Sequence, residues 1–447
     1  MEILKDKWLW QAVSVLGAVF FVFAIAAPAG YWLLALCFLV VSAFLVAFRQ
    51  PFWGLLALIL IRPLLDTTSD QPLFSILSLK VNLAGIFGLL SIFWAVWLAW
   101  SHRRAIGRIH RLAWFWLIFL AISLVSCLYS FSLGSSLEEM SRLLSIFAFF
   151  TTASLLVDSP QKLTQLIKSL LISALLPCLI ALYQLLVGTG LLENGTNRLF
   201  ATFGHPNMFA FFLVFCLSLS TFAALNLDYR KIQPYLYHLA SLAMLVLLFF
   251  TYTRGAYVAL AIFIFIVGLL RFRKFLIGGL IALLLVASAY APVRERATSI
   301  FSFRADDSIA WRIGLWREGW DYAQPRLATG YGLGTAPQVI AANKPYYHGS
   351  SEPHNDYLRI LLEQGVLGVL AYLLLIAGLL YALLHRYLGQ KRPKLKVFNL
   401  FAIAAATSLF VMSFGDNILN DTALQFAFWS LTGAVLSVQV RKKRLVS

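Results

Sequence analysis

The chain has 447 residues, 61% of them hydrophobic and 12% charged, with a formal net charge of +17. A typical soluble protein has about 25% charged residues, so a water-soluble globule is excluded and lipid must be the solvent for most of the chain. The basic excess lies in short loops between apolar runs, so it is a topology signal rather than a nucleic-acid patch.

Taken in chain order, about fourteen runs approach the ~20 apolar residues that a bilayer span requires. The first, 9–28, follows Met1-Glu2-Ile3-Leu4-Lys5-Asp6-Lys7 and superficially resembles a signal peptide. Its length, and the second run directly after it, read as a retained first helix. Next come 31–48, 51–65, 81–100, 112–131, 141–157 and 166–187, of which 51–65 is short and bounded by Pro51 and Pro63. Four more follow at 207–226, 236–252, 255–270 and 275–291. After the long polar stretch 292–352 the last three are 357–384, 397–414 and 422–440. The expected fold is an all-α polytopic membrane protein of about fourteen helices (12–14). It divides into N-terminal helices (1–194), core helices (195–291), one long loop (292–356) and C-terminal helices (357–447). Cys37, Cys127, Cys178 and Cys216 all fall inside apolar runs, so disulfides and structural zinc are not expected.

Orientation follows from the basic residues. With both termini inside, roughly 23 of the 36 Lys and Arg fall on the cytoplasmic side with about 4 of the 19 acids. The long loop and three polar clusters then face outward. Within the loop, Trp311, Leu315, Trp316 and Trp320 recur at helical spacing opposite Arg312, Arg317 and Glu318. This pattern fits an amphipathic helix on the membrane–water boundary, and equally a helix packed into the loop's own small core.

The three clusters are Asn197-Arg198-Leu199-Phe200-Ala201-Thr202-Phe203-Gly204-His205-Pro206-Asn207, then Thr251-Tyr252-Thr253-Arg254-Gly255-Ala256, then Ser350-Ser351-Glu352-Pro353-His354-Asn355-Asp356-Tyr357-Leu358-Arg359. Arg254 has apolar neighbours on both sides and reads either as a snorkelling interfacial residue or as an anion ligand. Arg198 poses the same choice with a weaker signal, because it lies in a loop. His354 lies where a new helix begins and can accept a proton from a hydroxyl near neutral pH; capping or loop hydrogen bonding is the plainer alternative. Asp356 or Glu352 could orient its ring. Asp306-Asp307 is a weak metal signal, more readily a helix N-terminal feature. Gly330-Tyr331-Gly332-Leu333-Gly334 permits tight backbone turns. The ionisable residues gather at one face, and no inverted repeat is visible, which disfavours a transporter or lipid-linked glycan flippase.

The run Pro353-His354-Asn355-Asp356-Tyr357-Leu358, with Leu361, Glu363, Gly365 and Gly368, resembles the signature of the O-antigen ligase and polymerase superfamily. Arg312, Trp316 and the Gly330–Gly334 turns resemble the same domain's earlier parts, and the Arg198 and Arg254 patches resemble two further family motifs. The resemblance covers about residues 195–375. It implies a GT-C-like, metal-independent, inverting glycosyltransferase of the bacterial inner membrane, with its active site on the periplasmic face and no cofactor. The donor would be a glycan on undecaprenyl diphosphate. The acceptor would be lipid A core in a ligase, or a lipid-linked repeat in an O-antigen or exopolysaccharide polymerase. In that reading His354 is the general base, Arg198, Arg254 and Arg312 bind diphosphate, and His205, Asn207, Asn355 and Tyr357 line the pocket.

Overall fold

A computed structural model describes residues 31–438, apart from 69–70, 77–78, 194, 227–231, 275, 280, 282–307 and 344–350. Its helices are α1 (Tyr31–Arg49), α2 (Pro51–Ile61), α3 (Leu83–Ser101), α4 (Leu112–Leu128), α5 (Leu133–Leu156), α6 (Pro160–Ser173) and α7 (Leu175–Val187). They continue as α8 (Pro206–Asn226), α9 (Gln233–Phe249), α10 (Arg254–Leu270), α11 (Ser308–Ala323), α12 (Ala336–Asn343), α13 (Asp356–Gly389), α14 (Pro393–Met412) and α15 (Thr422–Ser437). Two short antiparallel hairpins, β1–β2 (Phe74–Ile76, Leu79–Val81) and β3–β4 (Leu191–Glu193, Thr196–Arg198), project from loops.

Eight stretches among the described residues are long and apolar enough to cross a membrane, and α4, α9 and α10 are shorter apolar helices. Of the expected runs, 9–28 lies outside the described residues and 275–291 falls largely outside them; the other twelve each overlap a described helix. The short run at 51–65 is an α-helix that becomes a 3-10 turn over Arg62–Thr68. Pro63 has no N–H with which to continue the α ladder. Proline opens α2, α6 and α14, where its missing donor costs nothing. Asp306, Asp307, Arg294, Arg296, Arg304 and the basic tail 441–447 are also outside the described residues.

The bundle is organised around α15, which is buried along nearly its whole length and packs against α5. Phe426 of α15 stacks on Phe149 at 4.4 Å between ring centroids, and Trp429 meets Trp116 edge-on at 4.8 Å. Dispersion between such close-packed rings is the main attraction available, since lipid tails already solvate apolar side chains. Around this pair, α4 and α14 pack on α13, while α8, α9 and α10 form a second group joined to the first by α14.

The long loop has its own small core. Leu315, Ala323, Val339 and Ile340 pack on Leu358, Leu361 and Leu362 at the start of α13, flanked by Trp311 and Trp316. Of the two readings for α11, the packed helix is the one found, with Trp316 donating its indole N–H to the Pro353 carbonyl at 2.9 Å. Gly330, Gly332 and Gly334 all adopt positive φ, as the turn reading required. The turn crosses α13 where that helix breaks at Gly365 (φ +67°). A Cβ on Gly365 would lie 2.3 Å from the Ala328 carbonyl oxygen, and one on Gly330 would lie 2.5 Å from the backbone of Glu363 and Gln364. Only glycine permits both that conformation and that approach.

Candidate active site

Three loops converge at one end of the bundle: the segment before α8, the turn between α9 and α10, and the junction into α13. A fourth, joining α14 to α15, completes the site. In the first, Phe200 and Ala201 donate their backbone N–H groups to Gln184 Oε1 at 3.2 and 3.0 Å, and Thr202 Oγ1 donates to the Pro63 carbonyl. The first two loops join through Leu199 N–H and the Phe250 carbonyl at 3.2 Å. Among the described residues, Ala201 (φ +52°), Tyr252 (φ +51°) and His354 (φ +47°) are the non-glycine residues with positive φ, one in each of the first three loops. Such backbone costs of order 1–3 kcal/mol per residue and persists where surroundings over-determine it, commonly at functional sites.

Arg198 is buried and ties two of these loops together. Its Nε donates to the Thr251 carbonyl at 2.9 Å, Nη2 to Asn207 Oδ1 at 2.8 Å and to Thr253 Oγ1 at 3.2 Å, and Nη1 to Glu193. Asn207 is thereby fixed, and its Nδ2 donates to Asp416 Oδ2 at 2.5 Å. On its other oxygen, Asp416 meets His354 Nδ1 at 3.2 Å. Arg312 donates to the Gly415 carbonyl, with its Nη2 4.0 Å from Asp416 Oδ2. A continuous chain therefore runs from Arg198 through Asn207 and Asp416 to His354.

His354 borders a cavity of about 360 Å³ whose wall includes His205, Asn207, Glu352, Asp416, Asn420 and Asp421, with Met208, Phe211 and Ile418 as its apolar part. The Trp311 ring abuts His354 edge-on at 5.9 Å between centroids. Burial raises the Asp416 pKa, but the His354 hydrogen bond, the charges of Arg312 and His354 and the Asn417 backbone N–H together outweigh it. They hold the carboxyl well below the usual range, so it is an ionised acceptor for the imidazole. His205 is pushed the other way: burial, then the Arg198 charge, lower its pKa against the opposing fields of Asp416 and Glu193. Its Nδ1 accepts the Asn207 backbone N–H at 3.1 Å.

The structure thus brings together His354, Arg312, His205 and Asn207 from the residues singled out in the sequence. Arg198 lies behind the wall and Arg254 opens α10 beside Thr253; like Arg312, which reaches Asp416 from outside, neither is a wall residue. Asn355 and Tyr357 are likewise off the wall. Asn355 Oδ1 caps α13 by accepting from Tyr357 and Leu358 N–H. The Tyr357 hydroxyl donates to the Phe410 carbonyl at 2.8 Å, and its ring stacks on Phe414. The expectation that Asp356 or Glu352 orients His354 is corrected. The Asp356 carboxylate accepts from Leu419 N–H, and Glu352 accepts from Asn417 Nδ2, because the helix start and the turn after α14 take them. The orienting group is Asp416.

Asp416, Asn417, Asn420 and Asp421 are the site residues that sequence reasoning missed. They form a polar run between two apolar helices, on the face that the helix parity assigns to His354. A second missed feature lies beneath. Arg359 donates to Glu363 and Glu139 at 2.9 Å each, Arg142 pairs with Glu139 at 3.0 Å, and both arginines donate to Asn420 Oδ1.

Residues 239–373 match the family model described as O-Antigen ligase. No curated protein matches the chain. The matched segment holds Arg254, Arg312 and His354, while Arg198, His205, Asn207 and Asp416 reach the site from outside it. The match at residues 239–373 supports the resemblance to the O-antigen ligase and polymerase superfamily.

Proposed function

We propose that this chain is an inverting, metal-independent glycosyltransferase that moves a glycan from undecaprenyl diphosphate to an acceptor hydroxyl at the periplasmic face of the inner membrane, as an O-antigen ligase acting on lipid A core. The observation that carries the reading is the His354–Asp416 pair on the wall of one cavity. Nδ1–H of His354 donates to the ionised Asp416, which leaves Nε2 as the proton acceptor. The acceptor hydroxyl gives its proton to Nε2 as its oxygen bonds to the anomeric carbon. The bond from that carbon to the diphosphate oxygen breaks on the opposite face, and the diphosphate leaves with the electron pair. Arg254 and Arg312 neutralise the departing charge. Arg198, its nitrogens engaged by protein groups, acts by fixing Asn207 and through it Asp416. The wall gathers both substrates around one base, and orientation supplies much of the acceleration.

A polymerase using a lipid-linked repeat as acceptor shares every one of these steps. The separating experiment supplies the purified protein with an undecaprenyl-diphosphate-linked repeat, with and without lipid A core, and resolves products by size. One new band that requires core supports the ligase. A ladder that grows on the lipid carrier without core overturns it in favour of the polymerase. No product from folded protein would remove the transferase reading.

A further inference from the structure

The cavity wall contains two polar groups that the His354 chemistry leaves unused. Asn420 Oδ1 accepts from Arg142 Nη1 at 2.6 Å and from Arg359 Nη1. A guanidinium can only donate, so the amide orientation is determined: its oxygen faces the two arginines and its NH2 is turned away from them. Among the described residues that Nδ2 has no hydrogen-bond partner, and Asn420 borders the cavity. Its neighbour Asp421 is 2% exposed. Asp421 Oδ1 caps α15 by accepting from Leu424 N–H at 3.1 Å, while Oδ2 has no partner among the described residues. A buried polar atom without a partner costs about 1–3 kcal/mol, so Asp421 Oδ2, on a residue that borders the cavity, marks a place where a ligand group belongs.

The chemistry of the wall selects the ligand. Glu352, Asp416 and Asp421 put three carboxyl groups around the same space. The ionised Asp416 carboxylate repels a diphosphate, and carboxyl oxygens accept hydrogen bonds from hydroxyls. An amide donor next to a carboxyl group matches neighbouring hydroxyls on a sugar ring, each of which both donates and accepts. Burial, then the charge of Asp66, raise the Asp421 carboxyl well above the usual range, so it can meet a hydroxyl in either sense. Resting on the transferase reading above, we infer that this part of the cavity is a saccharide subsite in which Asn420 Nδ2 donates to an oxygen of the glycan and Asp421 Oδ2 pairs with its neighbour. Arg142 and Arg359 are positioning residues that hold the amide in its donating orientation, and the diphosphate lies outside this subsite.

The test uses the full-length protein in detergent and three probes: undecaprenyl diphosphate, undecaprenyl diphosphate bearing an O-antigen repeat, and lipid A core. Asn420→Asp keeps an oxygen toward both arginines and replaces the donor with an acceptor. Thermal unfolding should therefore be at or above the wild-type midpoint, while binding of a glycan-bearing probe weakens roughly tenfold, the loss of about one hydrogen bond. Asp421→Ser keeps the helix cap and removes the second oxygen, with the same expected loss. Weakening confined to the lipid-linked repeat assigns the subsite to the donor glycan, and weakening confined to lipid A core assigns it to the acceptor. Unchanged binding of both glycan probes in the two variants overturns the subsite and leaves the transferase reading standing. An equal loss for bare undecaprenyl diphosphate also overturns it, since that ligand has no sugar. Wild-type protein that binds no glycan probe overturns both.

Discussion

Asp416 and His354 are 62 positions apart in the chain, yet Oδ1 of one lies 3.2 Å from Nδ1 of the other. The contact joins the turn after α14 to the residue before the α13 cap, and it determines which imidazole nitrogen faces the cavity. Asp416→Asn replaces the ionised acceptor with an amide that can present N–H to Nδ1, favouring the wrong tautomer. Turnover is expected to fall by about 10²-fold or more, with donor affinity near wild type. Steady-state kinetics on the purified variant check this, and an unchanged kcat would remove Asp416 from the orienting role.

His354 itself is held at φ +47°. His354→Ala and His354→Gly should both abolish transfer while retaining donor binding. Glycine tolerates the left-handed region and alanine does not, so His354→Gly should be the more stable of the two by about 1 kcal/mol. Chemical denaturation of the two variants measures the difference. Equal stability would show that the backbone relaxes once the imidazole is gone.

Two pH dependences follow from the same cluster. The folded-state pKa of His205 is lowered, so between that value and the unfolded value near 6.5 the unfolded chain binds more protons. Stability should therefore decline as pH falls below about 6.5, and His205→Gln should flatten this arm of the profile. Asp416 has a depressed folded pKa, so its contribution is present above the unfolded value of about 3.9 and is lost as pH falls through the folded one. Thermal unfolding midpoints across pH 3–8, on the order of one measurement per half unit, resolve the His205 arm and the onset of the Asp416 arm.

Arg198 and Arg254 should respond differently to lysine. Arg198 makes four hydrogen bonds in fixed directions from a buried position, which one ammonium group cannot reproduce. Arg198→Lys is expected to cost about 2–4 kcal/mol of stability as well as activity. Arg254→Lys keeps the charge but loses bidentate geometry, so it should weaken transfer with little change in unfolding. Wild-type rates in Arg254→Lys would argue against phosphate contact.

Chelation provides a separate check on the proposed chemistry. Among the described residues, no three His, Cys, Asp or Glu side chains are grouped so as to hold a metal ion. Transfer should proceed unchanged in excess EDTA. Inhibition reversed by a divalent ion would instead direct attention to Asp306 and Asp307.

Lipid as solvent, the helical class and most helix positions are legible in the chain alone. Bilayer-length apolar runs and the placement of Lys and Arg are local properties, readable without knowing what packs on what. The chain also marked His354, Arg312, His205 and Asn207, because polar residues beside a helix start stand out against so apolar a background. Which side chains those residues meet depends on packing between distant segments. Spacing pointed to Asp356 and Glu352 as partners for His354, but those side chains face the turn that follows α14. It is Asp416 on that turn that reaches the imidazole. Arg198, read as a possible ligand, is hydrogen-bonded between two loops, and the Tyr357 ring, read as a pocket residue, stacks on Phe414. Asn420 was invisible to the sequence, because its orientation depends on Arg142 and Arg359 from two different helices. Partnership across a bundle is set by which helix ends pack together, and sequence separation carries no information about that distance.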